Sequence, residues 1–362
     1  MKRARRIEFF FEIARIVVAM VIAYLLCVIV LAVVTDNPGE AVYLFSVGPF
    51  TTRRRFGMLM SKFIPYILTG LGMCFIYACN RFSMVGDGVY MFAGCISAFM
   101  AVNSVSWGLP HVLTVALILL TCTILGALLG SVPVLMQEKF NANEVVISIM
   151  MNYLLTYFSN YLLKTKFRDP EISYLGSKIF PASAKLTEFI PRSTIHTGLF
   201  ISLFMVVVVG VIFNYTALGY SIRLCGENPH FAKYSGIRIS SSIVTAECMG
   251  IALCGLGGAV DMLGLYDRYV WAALPGYGSD GLLVAVLSRK NPWLIPLGAF
   301  LLAYLRTGAS ILNVNTEVPL EFVQVAQSVI ILLIAAQEFM GGLKNRIIAG
   351  KDSPKKETVK GA

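Results

Sequence analysis

The feature that most constrains this chain is a succession of long apolar runs that carry almost no charge. The first, residues 16–35, is 20 residues without a single Asp, Glu, Lys or Arg. That length matches the roughly 20 apolar residues a helix needs to cross a bilayer core. In hydrocarbon every backbone N–H and C=O must find its partner inside the protein, so such a run is read as a spanning helix. Similar runs follow one another through most of the 362 residues, and the composition agrees: 57% hydrophobic, 14% charged, mean hydropathy +0.74. A soluble domain carries about 25% charged residues. The chain therefore reads as one polytopic membrane domain, 1–343, followed by a lysine-rich tail, 344–362, with no apolar periodicity and an expected disordered, cytoplasmic state. The basic start, Met1 to Arg6, resembles the head of a signal peptide. The run behind it is longer than a signal core and lacks a small-residue exit, so it is read as the first span.

Ten crossings are expected, at about 16–35, 63–79, 83–104, 111–136, 144–163, 197–214, 240–264, 276–288, 292–313 and 319–340. The third and eighth are glycine-rich, and the eighth is short, so both are expected to be broken or partly re-entrant. With the N-terminus inside, 18 lysines and arginines fall on the inner side and 11 on the outer. That bias favours both termini in the cytoplasm, although Arg53, Arg54 and Arg55 then stand outside. Two connections are long: a polar outer loop, 164–195, and an inner loop, 215–239. Val85-Gly-Asp-Gly-Val89 follows Gly70-Leu-Gly72, and Gly278-Ser-Asp-Gly-Leu282 follows Gly255-Leu-Gly-Gly258. Two similar units of opposite orientation, spans 2–5 and 7–10, would form the inverted repeat of many transporters.

The same sequence excludes several chemistries. Its basic residues are dispersed, with no patch for nucleic acid. Eight cysteines (27, 74, 79, 95, 122, 225, 248, 254) lie mostly inside apolar runs without metal spacing and read as small buried hydrophobes. Three separated histidines (111, 196, 230) show no zinc or nucleophile–base pattern, and no GxxxxGK[ST] loop is present. No catalytic, metal or cofactor site is expected, and ATP would have to be bound elsewhere. The ionisable residues within apolar runs are then the functional candidates: Asp87, Glu247, Asp261, Asp280 and Arg306. Asp87 and Asp280 each precede a glycine, where an aspartate would cap a half-helix N-terminus or touch solute. Glu247 and Arg306 are candidates for an ion pair across spans. A proton relay would use the same carboxylates, so an ion- or proton-coupled secondary transporter stays open as an alternative.

The inner loop is the most informative stretch. Asn228 suits an N-cap, Pro229 the first helical position and Gly236 the left-handed position after a helix. The spacing predicts a two-turn helix over 230–235, placed in water by Glu227, His230 and Lys233. Here the chain resembles the ABC-importer permeases of the branched-chain amino acid and ribose class, whose coupling loop is similar to R-x-x-G-x-N-x-x-A-A-x-x-x-G-I. Arg223, Gly226, Asn228, Ala232, Gly236 and Ile237 match, and Phe231 replaces the first alanine of the pair. Asn143-Glu-Val to Asn152-Tyr153 is similar to the family's NEVxxxxMxNY. Gly276-Tyr-Gly-Ser-Asp-Gly281, with Ala285 and Asn291-Pro292, is similar to its GxGxxGIAVALLGxxxP. Where the nucleoside and simple-sugar branch reads FNIGxEGQ, this chain has Phe82-Ser-Met-Val-Gly-Asp-Gly-Val89, with Ser83, Val85, Asp87 and Val89 departing from it.

The resemblance implies an all-α type II importer permease in the bacterial plasma membrane, carrying a nucleoside or simple sugar. It implies four kinds of partner: a cytoplasmic ATP-binding subunit, a second permease, identical or related, an extracytoplasmic solute-binding protein or lipoprotein, and membrane lipid. It assigns ATPase coupling to Arg223, Gly226, Glu227, Asn228, His230, Ala232, Lys233, Gly236 and Ile237. It assigns the translocation path to Phe82, Ser83, Gly86, Asp87, Gly88, Asn152, Tyr277 and Asp280.

Overall fold

A computed structural model describes residues 38–189 and 194–315, with Leu25 and Val28 as isolated positions. Apart from those two positions, the expected first crossing, the tenth and the tail lie outside the described residues. Among the described residues twelve α-helices follow in order: α1 Pro38–Ser46, α2 Gly48–Thr51, α3 Arg53–Ala78, α4 Gly86–Asn103, α5 His111–Phe140 and α6 Glu144–Leu162; then α7 Gly198–Tyr215, α8 Ala217–Glu227, α9 Pro229–Tyr234, α10 Ile239–Leu265, α11 Tyr277–Leu287 and α12 Ile295–Asn315. Among the described residues there is no strand, only the isolated bridges Arg168–Ser177 and Glu188–His196.

Seven of the described helical segments are long and apolar enough to cross a membrane, which makes this a multi-pass membrane protein. Helix α11 is different. Its 11 residues rise only about 16 Å at 1.5 Å each, roughly half of a ~30 Å core.

Expected and observed helices agree closely at α5, α6, α7 and α10. Two differences are instructive. Helix α3 begins at Arg53, ten residues before the expected crossing, because the Thr52 side chain accepts from the Arg55 N–H and starts a turn on polar sequence. Lys62, the charge that hides this extension from an apolar window, donates to the Arg306 carbonyl (3.2 Å) and the Ser310 hydroxyl (2.8 Å). Residues 217–227, expected as loop, form α8, capped by Thr216 on the Gly219 N–H.

Helices α3 and α10 make the centre, with Tyr66, Leu71, Phe75, Ile251, Ala259 and Leu263 buried. They cross closely at Gly72 and Gly250, where a Cβ on either would press on the other's carbonyl oxygen; small residues bring membrane helices together in this way. Helices α5, α6 and α7 turn large apolar side chains outward, among them Leu120, Leu128, Tyr157 and Phe204. In water such faces would be a liability; against lipid tails they cost nothing.

The connections collect at two ends. The end of α3, the α5–α6 turn and residues 215–239 share one, tied by Arg81 to Glu138 (2.7 Å) and by the packing of α8 on α3. Residues 164–189 and 266–276 share the other, through backbone bonds such as Phe180 N–H to the Asp267 carbonyl (2.9 Å). His196, at this second end, is fully buried, with its ring against the Cα of Gly264 and Nδ1 accepting from the Gly198 N–H (3.2 Å).

Burial holds the His196 pKa down, at about 4 against an ordinary 6.5. The unfolded segment therefore takes up a proton at higher pH than the folded one. The packing is at full strength above about 6.5 and is lost as pH falls toward 4, a difference of roughly 3 kcal/mol. Amide exchange in residues 194–202, corrected for its intrinsic rate, should accelerate between pH 7 and pH 5. A His196→Gln variant should lose that pH dependence. Unchanged protection in the native chain over this range would contradict the account.

Candidate functional site

The first turn of a helix leaves N–H groups without intrahelical partners, and at membrane depth no water satisfies them. Helices α4 and α11 both start inside the protein with this problem. Val85, the residue before α4, offers no side-chain cap. Asn152 of α6 supplies one: its Oδ1 accepts from the Gly88 N–H (2.9 Å), and its Nδ2 donates to the Met84 carbonyl (2.9 Å). Beside it, the buried hydroxyls of Ser83 and Ser148 are bonded at 3.2 Å.

Helix α11 is capped by Asp87 of α4. Asp87 Oδ1 accepts from the Gly278 N–H (2.6 Å), and Oδ2 accepts from the Ser279 hydroxyl. The two helix starts touch: a Cβ on Gly278 would collide with the Asp87 nitrogen and lie 2.6 Å from the Gly86 carbonyl carbon. The sequence led us to expect these aspartates to cap half-helix starts; Asp87 does so, and the start it caps is that of α11 rather than of its own helix. Asp280 is not a cap. It accepts from the Tyr66 hydroxyl (2.9 Å) and pairs with Arg306 (2.7 Å).

The expected Glu247–Arg306 pair is likewise corrected, because Arg306 is held by Asp280. Glu247 is fully buried beside Glu144, at the opposite end of α3 from Arg53, where Arg81 approaches Glu144 at 3.8 Å. Both anions at the start of α11, Asp87 from outside and Asp280 within its first turn, stand where the helix dipole favours negative charge.

Aromatic rings surround this junction. Tyr277 lies 5.2 Å from Tyr66 and 5.2 Å from Tyr90, and Tyr90 donates to Asp261 (2.8 Å). Phe82 lies apart from them, half-buried and edge-on to Tyr77 (6.2 Å). Of the expected path residues, Gly86, Gly88, Asp87, Asn152, Tyr277 and Asp280 converge here with Ser83 nearby. Tyr66, Tyr90 and Trp271 were missed, since an aromatic in an apolar helix carries no local sign distinguishing it from core.

The second region is α8–α9. Asn228 Oδ1 accepts from the Phe231 N–H (3.0 Å), as the sequence predicts for an N-cap. At the other end Gly236 has φ +79°, with its N–H on the Lys233 carbonyl (3.1 Å) and the Ile237 N–H on the Ala232 carbonyl (3.0 Å). That is a Schellman turn, which needs the left-handed conformation glycine adopts freely. Arg223 is half-buried, bonded to Asn214 (3.2 Å) and lying over the Phe213 ring (5.2 Å). Gly226 lets α8 sit directly on the Ala78 carbonyl. Ala232 is fully buried and faces the chain itself, whereas Glu227, His230, Phe231, Lys233 and Tyr234 are exposed. A cleft of about 370 Å³ opens between α8, the Gly236 turn and the start of α10.

The sequence profile of the family described as branched-chain amino acid transport system / permease component matches residues 56–335. The guanosine ABC transporter permease protein NupP of Bacillus subtilis is 28% identical over 80% of this chain and 84% of its own length. The nucleoside ABC transporter permease protein NupB of Lactococcus lactis is 27% identical over 95% and 96%. The glucose ABC transporter permease protein TsgB13 of Haloferax volcanii is 25% identical over 86% and 84%. No solved structure matches the chain.

The Asp87 cap generates a test. Asn at position 87 keeps an acceptor for Gly278; Leu leaves two inward-facing donors unpaired, each at a cost of about 1–3 kcal/mol. Purified Asp87→Asn should melt close to the native protein, and Asp87→Leu markedly lower. Equal melting temperatures for Asp87→Leu and the native chain would remove the capping role.

Proposed function

This chain belongs to the family of branched-chain amino acid transport system permease components, and from that premise we propose that it forms the translocation path of an ATP-driven importer for a nucleoside or simple sugar. The family implies an ATP-binding subunit and a solute-binding protein as partners, and makes this chain a transport component rather than an enzyme. The relatives named for guanosine, nucleosides and glucose support a neutral, hydroxyl-rich solute. So does the junction itself, where the charges of Asp87, Asp280 and Arg306 are engaged with the protein.

In this reading the solute passes beside the junction of α4 and α11, lined by Ser83, Gly86, Asp87, Gly88, Asn152, Tyr277 and Asp280, with Phe82 toward its inner end. The meeting of the two helix starts supports an inverted repeat of spans 2–5 and 7–10 within ten crossings. The bias of basic residues supports cytoplasmic termini in a bacterial plasma membrane, with the 344–362 tail and residues 215–239 on the inner side and 164–195 outside. A second permease, identical or related, completes the complex, with lipid against α5, α6 and α7.

ATP binding and hydrolysis on the partner move α9, and the permeases alternate between outward and inward openings. Helix α9 meets the ATPase through its exposed face, chiefly Phe231 and Tyr234. Arg223, Gly226 and Asn228 hold the segment from beneath, together with Ala232, Gly236 and Ile237, and Glu227, His230 and Lys233 flank the contact. The single observation that carries the coupling role is this capped helix, with two exposed aromatics, which packs on α8 where α8 rests on the end of α3.

Two measurements test the reading. Solute uptake should stop when ATP is depleted and survive collapse of the membrane potential; the reverse would indicate a secondary transporter. Phe231→Asp with Tyr234→Asp should leave the melting temperature unchanged, cut co-purifying ATPase at least tenfold and abolish uptake. Native uptake with the ATPase still bound would end the coupling assignment.

A further inference from the structure

The connection between α10 and α11 is held in an unusual way. Residues 266–276 contain no helix, yet they are fixed along one side by the 164–189 segment. Tyr269 and Ser177 are bonded twice: the Tyr269 N–H donates to Ser177 Oγ (2.9 Å), and the Ser177 N–H donates to the Tyr269 carbonyl (3.0 Å). The Phe180 N–H donates to the Asp267 carbonyl (2.9 Å), and Asp267 also pairs with Lys185. Arg268 meets Asp169 at 3.5 Å, and Asn160, at the end of α6, donates to the Ala272 carbonyl (3.0 Å).

What this clasp positions is Trp271. Its ring is almost completely buried in a notch at Gly94 of α4, where a Cβ would collide with the indole. It stacks on Tyr90 at 5.5 Å and 25°, with the edges of Tyr266 (5.4 Å) and Tyr269 (5.8 Å) against it. Along α4 the order is Asp87, Tyr90, Gly94, so Trp271 lies about 10 Å beyond the junction at 1.5 Å per residue, toward the end that carries the clasp. The next residues, Ala272 and Ala273, are exposed. The indole therefore stands between an aqueous end and the junction, touching one with its backbone and the other through Tyr90.

We propose that residues 266–276 are a movable strap and that Trp271 is the plug closing the α4–α11 junction from that end, released when the Ser177–Tyr269 pairing opens. The physics of the parts fits the division of labour. The ion pairs of Asp267 with Lys185 and of Arg268 with Asp169 are partly solvated and individually weak, so they exchange for water as the strap lifts, and the buried Ser177–Tyr269 pairing is the latch that must break first. The Asp87 cap beneath has no water to exchange with and stays. A flat indole in a glycine notch slides out without disturbing a helix backbone. The proposal takes the path from the importer reading, but closure of the junction is measurable without transport.

Cys254 is a native reporter, fully buried with its sulfur beside Gly86 at the junction. Cys122, buried between α4 and α5 with its sulfur on the Ala93 carbonyl, reports general loosening. Vesicles of either orientation carrying the native chain, Trp271→Ala, Trp271→Phe or Ser177→Ala are treated with a membrane-impermeant maleimide, and labelled cysteines are mapped by mass spectrometry. From the clasp side, Cys254 labelling should rise at least tenfold in Trp271→Ala and measurably in Ser177→Ala, stay near native in Trp271→Phe, and leave Cys122 unlabelled. Cys254 shielded equally in all four chains overturns the plug. Joint labelling of Cys254 and Cys122 also overturns it, because Trp271 would then be only core. Uptake that ignores ATP depletion would fail the importer reading without altering these labelling outcomes.

Discussion

The structure depends on one interaction, the carboxylate of Asp87 closing the open start of a helix that is not its own. A membrane protein that interrupts its helices exposes N–H groups where neither lipid nor water can satisfy them. Here one interruption solves the other. Asn152 holds the start of α4, which orients Asp87, and Asp87 holds the start of α11. Because the cap comes from a neighbouring helix, each half-helix is defined only when both are in place. The contact of Gly278 with the backbone at Gly86 leaves little freedom in their spacing.

From that junction a continuous packed route runs to the opposite end. Tyr66 and Thr69 of α3 press on α11, through Asp280 and Gly281 respectively. The same helix ends at Ala78, where Gly226 of α8 rests, and the Cys79 thiol reaches the Ile222 carbonyl (3.6 Å). The distance from Tyr66 to Ala78 is about 18 Å of helix at 1.5 Å per residue. Helix α3 is buried along most of its length, so the junction and α8, on which α9 packs, stand at two ends of one packed helix. The strap bearing Trp271 reaches the junction from the other side.

Much of this was legible in the sequence, and the parts that were not share a cause. Apolar runs set the positions of α5, α6, α7 and α10, because lipid rewards uninterrupted hydrophobicity. Asn228, Pro229 and Gly236 gave α9 and its turn, because capping is local chemistry. The pairing of Asp87 with Gly278 joins residues 191 positions apart, and that of Asp280 with Tyr66 residues 214 apart, and no local pattern encodes which partner a buried aspartate will find. The same holds for Ala232, whose burial follows from how α9 lies on the chain rather than from its neighbours in sequence. The rings of Tyr90 and Trp271 acquire meaning only once Gly94 places them against each other.

Amide hydrogen exchange of residues 276–284 in Asp87→Leu, compared with the native protein, tests the central claim most directly. Loss of the Asp87 carboxylate should free the Gly278 N–H and fray the first turns of α11, giving faster exchange there while residues 111–140 of α5 keep their native protection. Native protection across 276–284 in the absence of that carboxylate would show that α11 is held by something else, and the account of the junction would be wrong.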